Sequence, residues 1–219
     1  LETLLQPLRS RVRLNCPVEA LVRHGFGVTV WAGGQSERFD AVVIAAHSDQ
    51  ALKLLSDASS REEQVLSAIP YRPNRVVLHR DPRLMPQRRA AWAPWNYLRT
   101  ARGGEEAEVC VTYWMNRLQG IDAACPLFVS LNPAIEPREE LTFGEWSFDH
   151  PQFDAHALAA QALLPDIQGV RNTFFAGAWT GCGFHEDGLR SGLDAALALG
   201  GSVPWRMPAR QPALALAAE

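Results

Sequence analysis

The stretch Phe174–Ala196, FFAGAWTGCGFHEDGLRSGLDAA, decides our interpretation of the chain. An apolar run typical of a strand ends at Gly177 and leads into a glycine-rich loop. The pattern after the loop predicts a helix that opens at Gly188, with Ser191 and Gly192 in its first turn. Glycines let backbone N–H groups approach a ligand closely, and a helix N-terminus offers unpaired N–H donors. The stretch therefore predicts a cradle for a phosphate or for an electron-rich carbonyl of a cofactor. An ordinary strand-to-helix junction with glycines for packing is the alternative.

Upstream of this stretch, short alternating runs are typical of a β-meander that feeds a buried strand and two short helices. The predicted strands are Leu14–Ala20, Val28–Trp31 and Phe39–Ala46, and the predicted helices are Asp49–Leu55 and Arg61–Ala68. Asp49 is a residue type that caps helices, so it is expected at the N-cap of the first helix.

The middle of the chain differs in composition, because it contains aromatic segments rich in β-forming residues that are separated by Pro, Gly and Arg. These segments are Asn74–His79, Ala90–Tyr97, Val109–Trp114 and Leu127–Leu131. They predict an antiparallel sheet that forms a second lobe. A helix over His156–Leu164 and a strand over Asn172–Ala176 then lead back to the quoted stretch. The predicted fold class is mixed: α/β with an α+β part.

Charge is distributed unevenly along the chain. The segment Arg72–Arg102 contains eight arginines and a single acid, Asp81, whereas the whole chain has a net charge of −3. Such a run is typical of a solvated face or a partner surface. A pocket for an anionic substrate or a lipid headgroup is the alternative.

Several classes of protein are disfavoured by composition. A net charge of −3 and a pI of about 6.1 argue against nucleic-acid binding. The apolar run Ala41–His47 is too short to span a membrane, and no leader is visible at Leu1, so a fragment or processed chain is expected. The cysteines form no C-x-x-C and the histidines no H-E-x-x-H, so no metal site is expected. Cytoplasmic location is the default expectation.

A family resemblance rests on the same residues. Phe174–Ala196 resembles the C-terminal flavin-binding motif of the superfamily of flavin-containing amine oxidases, phytoene desaturases and protoporphyrinogen oxidases. The stretches AHSDQAL, AWAPWNYL, VTYWMNRLQG, DHPQFD and GFHEDGLRSG are similar to a bacterial branch of predicted NAD/FAD-binding proteins. The resemblance implies a partial FAD-binding Rossmann-like domain, an antiparallel-sheet substrate lobe and FAD as cofactor. It divides the chain into an FAD-domain segment (1–70), a substrate lobe (71–151), a return to the FAD domain (152–203) and a flexible tail (204–219).

The resemblance also implies particular cofactor contacts. Gly177 matches the glycine of an Ala-Gly pair that passes the ribityl phosphate part of FAD, and Ala178 stands where relatives often carry an acid. Asp187-Gly188-Leu189 matches a Glu-Gly-Ala whose last two N–H groups face the N1–C2=O edge of the flavin and stabilise its reduced form. Val18 occupies a position whose backbone meets the adenine. The implied set is Val18, Gly177, Ala178, Trp179, Gly183, Asp187, Gly188, Leu189, Ser191 and Gly192.

Catalytic and substrate residues are predicted more loosely. His185 falls where amine oxidases place an aromatic residue over the flavin, and a histidine there could steer a substrate or transfer a proton. In the substrate lobe, aromatic side chains are candidates for lining an apolar pocket: Trp92, Trp95, Tyr97, Tyr113 and Trp114. Core packing is the alternative for most of them.

The chain contains no G-x-G-x-x-G, the fingerprint that holds the FAD pyrophosphate at the N-terminus of this superfamily. We therefore expect the C-terminal portion of an FAD-dependent oxidoreductase that transfers a hydride from a small amphipathic or amine substrate. A separate N-terminal half would be its partner. The alternatives are a non-catalytic domain that docks a partner, and NAD(P) as the ligand.

Overall fold

The computed structural model describes residues 2–99, 109–203 and 205. The strands are β1 (Val18–His24), β2 (Gly27–Ala32), β3 (Gln35–Phe39), β4 (Val42–Ile44), β5 (Tyr71–His79), β6 (Trp95–Arg99), β7 (Val109–Trp114), β8 (Phe128–Leu131), β9 (Thr142–Pro151) and β10 (Thr173–Phe175). The helices are α1 (Glu2–Leu5), α2 (Ser48–Leu54), α3 (Ser60–Leu66), α4 (Met115–Gln119), α5 (Ala155–Gln161) and α6 (His185–Ala198). The predicted tail, 204–219, lies outside the described residues except for Trp205.

Contacts divide the chain into two units. Unit 1 comprises residues 1–69 and 153–219, and unit 2 comprises residues 70–152. Both helices and sheets are present, so the predicted mixed fold class is confirmed. Assignment of unit 1 to flavin binding and of unit 2 to substrate binding stays a prediction.

Unit 1 contains an antiparallel meander in the order β1-β2-β3. The predicted first strand, Leu14–Ala20, was wrong, because β1 begins only at Val18. Pro17 has no N–H for a ladder and Asn15 adopts a left-handed φ of 53°, so the chain cannot run as a regular strand before that point.

The second sheet of unit 1 is a parallel pair, in which β10 lies beside β4 with Phe175 opposite Ile44. The predicted strand Phe39–Ala46 is in fact divided, since Phe39 ends β3 and only Val42–Ile44 belongs to β4. The outer edge of β10 is satisfied within the chain. Gln168 exchanges two hydrogen bonds of 2.8 Å with the backbone of Phe175, and the Gly169 N–H donates to the Thr173 carbonyl at 2.9 Å. In the part of the chain described, β4 pairs on one side only.

Helix α2 begins one residue earlier than predicted, and Asp49 is not its N-cap. His47 is the N-cap, and its carbonyl accepts the Ala51 N–H at 2.8 Å. Asp49 therefore lies in the first turn, where its carboxylate suits the helix dipole and accepts a hydrogen bond from Lys53 at 3.1 Å.

Helix α3 is tied to the meander by a buried ion cluster. The side chains of Arg23 on β1 and Glu62 on α3 are both fully buried and form a bidentate ion pair. Arg23 also donates to Asp57 at 2.8 Å, and Glu62 accepts the N–H of Ser59, the N-cap of α3, at 2.8 Å. This cluster satisfies charges that would otherwise be costly to bury.

Unit 2 is a five-stranded antiparallel sheet in the order β6-β7-β8-β5-β9. The predicted strand Ala90–Tyr97 was wrong at its start, because residues 89–91 form a 3-10 turn and β6 begins after Pro94. Strand β9, ten residues long, was not predicted. It is an edge strand whose side chains are mostly exposed, and it was missed although the residues from Glu145 to Asp149 alternate between polar and apolar.

One face of this sheet is buried and carries a satisfied polar chain. The Asp81 N–H donates to Nδ1 of His79 at 3.1 Å, so the proton of this imidazole lies on Nε2, which donates to Ser130 Oγ at 2.8 Å. The Ser130 hydroxyl lies 2.7 Å from that of Thr112. Burial lowers the pKa of His79, although the nearby Asp81 acts in the opposite direction.

Candidate functional site

The carboxyl ends of β4 and β10 lie side by side, which is the position where parallel sheets bind ligands. Just beyond β10, Gly177 adopts a φ of +154°, and a Cβ there would lie 2.7 Å from the indole of Trp179. That indole is buried, and its N–H donates to the Ala46 carbonyl, just beyond β4, at 2.9 Å. Gly177 and Trp179 therefore join the ends of the two strands. Trp179, predicted as a cofactor contact, holds the loop in place through its side chain.

Helix α6 begins at His185, three residues before the predicted start at Gly188. The Gly188 N–H is already bonded to the Phe184 carbonyl at 3.2 Å, and Leu189 lies one turn inside the helix. Both N–H groups therefore lie within the hydrogen-bond ladder of the helix, and their implied contact with a ligand stays a prediction. Only the first turn of a helix has free donors. Within the described residues, the N–H groups of His185 and Glu186 have no hydrogen-bond acceptor.

Asp187 organises the loop that precedes α6. Its Oδ2 accepts the N–H of Cys182 at 3.0 Å and that of Phe184 at 2.9 Å. A Cβ on Gly181 would overlap this carboxylate, and Gly183 has a φ of +89° with Phe153 3.0 Å from its Cβ position. Both glycines are therefore required by the folding of the loop.

Gly188 and Gly192, by contrast, are not required by contacts inside the chain. A Cβ on Gly188 would make an ordinary contact of 3.6 Å with the Ala178 nitrogen, and a Cβ on Gly192 would meet nothing within 4 Å. Both lie in the helix interior, with Ser191 and Gly192 in the second turn rather than the first. Gly188 packs beside Ala178, whereas Gly192 leaves open space on α6 that fits close approach of a flat ring or of another segment.

Ser191 has a role that the sequence did not reveal. Its hydroxyl accepts the Gly177 N–H at 2.9 Å and donates to the Gly188 carbonyl at 2.8 Å. It therefore ties the end of β10 to α6. A serine one turn into a glycine-rich helix was the only signal in the sequence.

A groove of about 500 Å³ opens in unit 1 beside β4. Its lining residues are Val18, Leu21, Val30, Val42, Val43, Ile44, Ala45, Ala46, Gln50, Lys53 and Leu54. The groove is apolar except for Gln50 and Lys53 at α2. Val18, the predicted adenine contact, lies in this groove, and Ala46 belongs both to the groove and to the junction with Trp179. The groove and the junction with Trp179 therefore share Ala46, and the role of Val18 in cofactor binding stays a prediction.

His185 is exposed at the first position of α6. Its backbone contributes one of the two free first-turn N–H groups, whereas the role of its imidazole stays a prediction. The exposed position is compatible with contact with a ligand at the helix N-terminus.

The five predicted substrate aromatics of unit 2 do not share one surface. Trp95 lies opposite Tyr113 in the register, and Tyr97 follows on the same face as Trp95. Trp114 is on the other face, where its ring packs edge-to-face against Trp92 with centroids 5.3 Å apart. Because strand side chains alternate, the aromatics form two separate groups, and a role in lining a substrate pocket stays a prediction.

The Trp92–Trp114 group belongs to the packed side of the sheet. Trp92 also packs against the buried Phe128, with centroids 5.6 Å apart, and donates its indole N–H to the Pro86 carbonyl at 2.8 Å. The Arg89 guanidinium lies 4.6 Å from the centroid of the Trp92 ring. These contacts favour core packing over substrate contact for both tryptophans.

The part of the chain that the structure describes lacks two further features. No cluster of three or more His, Cys, Asp or Glu side chains there has an arrangement suited to a metal ion. None of the helices described combines the length and apolar character needed for crossing a bilayer.

Comparisons with known proteins agree with this geometry. One similar solved structure is a CLA-producing fatty acid isomerase from P. acnes, with 16% identity and a TM-score of 0.57 over 84% of this chain and 47% of that chain. A second is a putative protoporphyrinogen oxidase from Exiguobacterium, with 13% identity and a TM-score of 0.61 over 91% of this chain and 50% of that chain. A third is a cyclohexylamine oxidase from Brevibacterium oxydans, with 18% identity and a TM-score of 0.60 over 89% of this chain and 50% of that chain. At these identities the likeness concerns the fold. The chain spans about half the length of these proteins. No curated protein matches it.

The family comparison is more direct. The sequence model described as flavin containing amine oxidoreductase matches residues 1–141, which include the meander, the groove beside β4 and most of unit 2. The match ends before the glycine-rich loop and α6. Because it covers well over half of the chain, the chain belongs to the flavin-containing amine oxidoreductase family.

Proposed function

We propose that this chain is the flavin-facing and substrate-facing portion of an FAD-dependent oxidoreductase. In the complete enzyme, a hydride passes from a small amphipathic or amine substrate to the flavin. The observation that carries the proposal is the convergence of two parallel strand ends, a glycine-rich loop and the N-terminus of α6. Gly192 supports it, because its missing side chain leaves space that no described residue occupies within 4 Å.

The chain's residues fit one side of a flavin site. The free N–H groups of His185 and Glu186, together with the positive end of the α6 dipole, would face the electron-rich edge of the ring. When bound, the flavin supplies the two-electron acceptor for the hydride. Asp187 and Ser191 hold the loop and the helix in position, and the His185 imidazole would steer the substrate or hold a proton.

A separate polypeptide segment would supply the pyrophosphate-binding half. β4 pairs on one side only among the described residues, and an apolar groove of about 500 Å³ lies beside it. An added parallel strand would satisfy this edge and cover the groove. Val18 in the groove would then contact the adenine end of the cofactor.

The first test is the visible absorption spectrum of the purified chain, before and after addition of FAD and of an upstream partner polypeptide. Flavin bands that co-elute with the protein support the proposal. A chain that is colourless under every condition contradicts it.

Variants at Gly192 make the test specific. Gly192→Ala should keep the fold, because its Cβ meets nothing within 4 Å, whereas Gly192→Leu fills the open space proposed for the ring. We expect the flavin content of the purified protein to be lower in Gly192→Leu than in Gly192→Ala. Ala196→Leu, at an exposed position of the same helix, is the matched control and should retain flavin. Equal flavin content in all three folded variants would contradict the cradle.

A non-catalytic docking domain is the second candidate. It is favoured by exposed leucines on α6, namely Leu189 at 57% and Leu197 at 40%. Uptake of flavin upon addition of the partner distinguishes the two, since a docking domain binds the partner without any flavin spectrum.

A further inference from the structure

One face of the unit 2 sheet carries exposed aromatic side chains at its two edges, β6 and β9. We call it the aromatic face and define it by Trp95, Tyr97, Tyr113, Trp146 and Phe148. The register places all five on one side of the sheet. Trp95 on β6 lies opposite Tyr113 on β7. The rows of paired residues continue through β8 and β5 to β9, where Trp146 lies opposite Val76 and Phe148 lies opposite Asn74.

The side chains of this face are accessible. The exposed fractions are 56% for Trp95, 74% for Tyr97, 48% for Trp146 and 52% for Phe148. The Trp146 ring lies beside Gly144, where an added Cβ would come within 2.5 Å of it. The exposed aromatic groups lie on β6 and β9, the two edges of the sheet, and side chains of this size and exposure mark a binding surface rather than a core.

None of the described strand residues that the register places on this face is acidic. Glu145 on β9 lies on the opposite side, since it pairs with Val77, and it is bound to Arg75 at 2.6 Å. Glu136 is bound to the same guanidinium at 2.7 Å. Asp149 lies opposite Pro73, also on the other side.

The charge on the aromatic face is positive. Arg72 lies opposite His150 in the register, two residues from the pair that Asn74 forms with Phe148. Arg72 is exposed and has no ion pair among the described residues, in contrast to Arg75. The apolar face therefore ends at an unpaired guanidinium, which complements a carboxylate.

We propose that the aromatic face binds a monoanionic amphipath, with its carboxylate at Arg72 and its apolar body along Phe148 and Trp146 towards Trp95. The four strand spacings from β9 to β6 give a width of about 19 Å. A cationic amine would find no carboxylate on this face. The inference deepens the proposed function and rests on it only in treating this face as the substrate surface.

The test compares three probes with the same ten-carbon chain: decanoate, decylammonium and decan-1-ol. Each is titrated by calorimetry into the whole chain without flavin, at pH 7.5, low salt and probe concentrations below micelle formation. We expect decanoate to bind about five-fold more tightly than decylammonium, as one exposed ion pair allows. Arg72→Gln should bring this ratio close to one, and Arg72→Lys should largely keep it.

Two further variants separate charge from packing. Trp146→Ala should weaken all three probes by a similar factor, because it removes apolar contact and no charge. Arg117→Gln, on α4 and outside the strands, should leave the ratio unchanged. Equal binding of decanoate and decylammonium, a preference that survives in Arg72→Gln, or the lack of saturable binding would each overturn the inference. Flavin uptake is measured separately from its absorption spectrum. A failure of the proposed function can therefore be distinguished from a failure of this inference.

Discussion

Replacing Glu62 by glutamine should destabilise unit 1 strongly. The Glu62 carboxylate is fully buried and accepts hydrogen bonds from Arg23 at 3.0 Å and from the Ser59 N–H and hydroxyl at 2.8 and 2.9 Å. Glu62→Gln removes the charge that compensates the buried Arg23 and brings an amide N–H against its donors. Breaking such a pair costs about 3–5 kcal/mol. Because Arg23 keeps its hydrogen bond to Asp57, we expect about 3 kcal/mol, which lowers Tm by about 6–12 °C.

The assay is thermal unfolding followed by circular dichroism, with Arg61→Gln as control. Arg61 forms a comparable pair with Asp166 at 2.5 Å, but both side chains are nearly half exposed, so its loss should cost less than about 1 kcal/mol. The double variant Arg23→Leu with Glu62→Leu should be more stable than Glu62→Gln, because no unpaired charge is left buried. If Glu62→Gln is no less stable than Arg61→Gln, the reasoning is refuted.

The same carboxylate gives a pH dependence. Burial tends to raise the pKa of Glu62, but the hydrogen bonds from Arg23 and Ser59 outweigh it and hold the pKa below its ordinary value of 4.5. Its stabilisation is therefore present above pH 4.5 and is lost as the pH falls through the folded-state pKa. The difference between wild type and Glu62→Gln should shrink in acid.

Two more predictions concern the glycine loop and the sheet of unit 2. Gly181→Ala should lower stability by about 1–3 kcal/mol because its Cβ displaces Asp187, whereas Gly192→Ala should raise it by about 0.5–1 kcal/mol through helix propensity; both are measured by urea unfolding. Because burial lowers the pKa of His79, the unfolded state takes up a proton first, so stability should decline as the pH falls below about 6.5. His79→Gln should flatten that slope in unfolding measured between pH 7.5 and 5, and an unchanged slope would assign it to another group.

Local pattern was sufficient to predict the elements that carry a clear period. The alternation at Val28–Trp31, the run at Val109–Trp114 and the apolar segment before Gly177 are all strands of the structure. The edge strand β9 was not predicted, although the residues from Glu145 to Asp149 alternate between polar and apolar with the period of a strand. The start of α6 was misplaced because Gly188 was taken as the first helical residue, whereas the Phe184 carbonyl already accepts its N–H.

By itself, the sequence determined the kinds of element, the order in which they follow one another and the glycine-rich loop before a helix, because these depend on neighbouring residues. The tertiary structure alone decided which residues meet. It placed Trp179 against Ala46, 133 residues away, and made Ser191 the link between β10 and α6. It also separated Trp95 from Trp114, since the register of paired strands decides which face each side chain occupies. Such pairings depend on long-range hydrogen bonds and burial, which no local window of sequence contains.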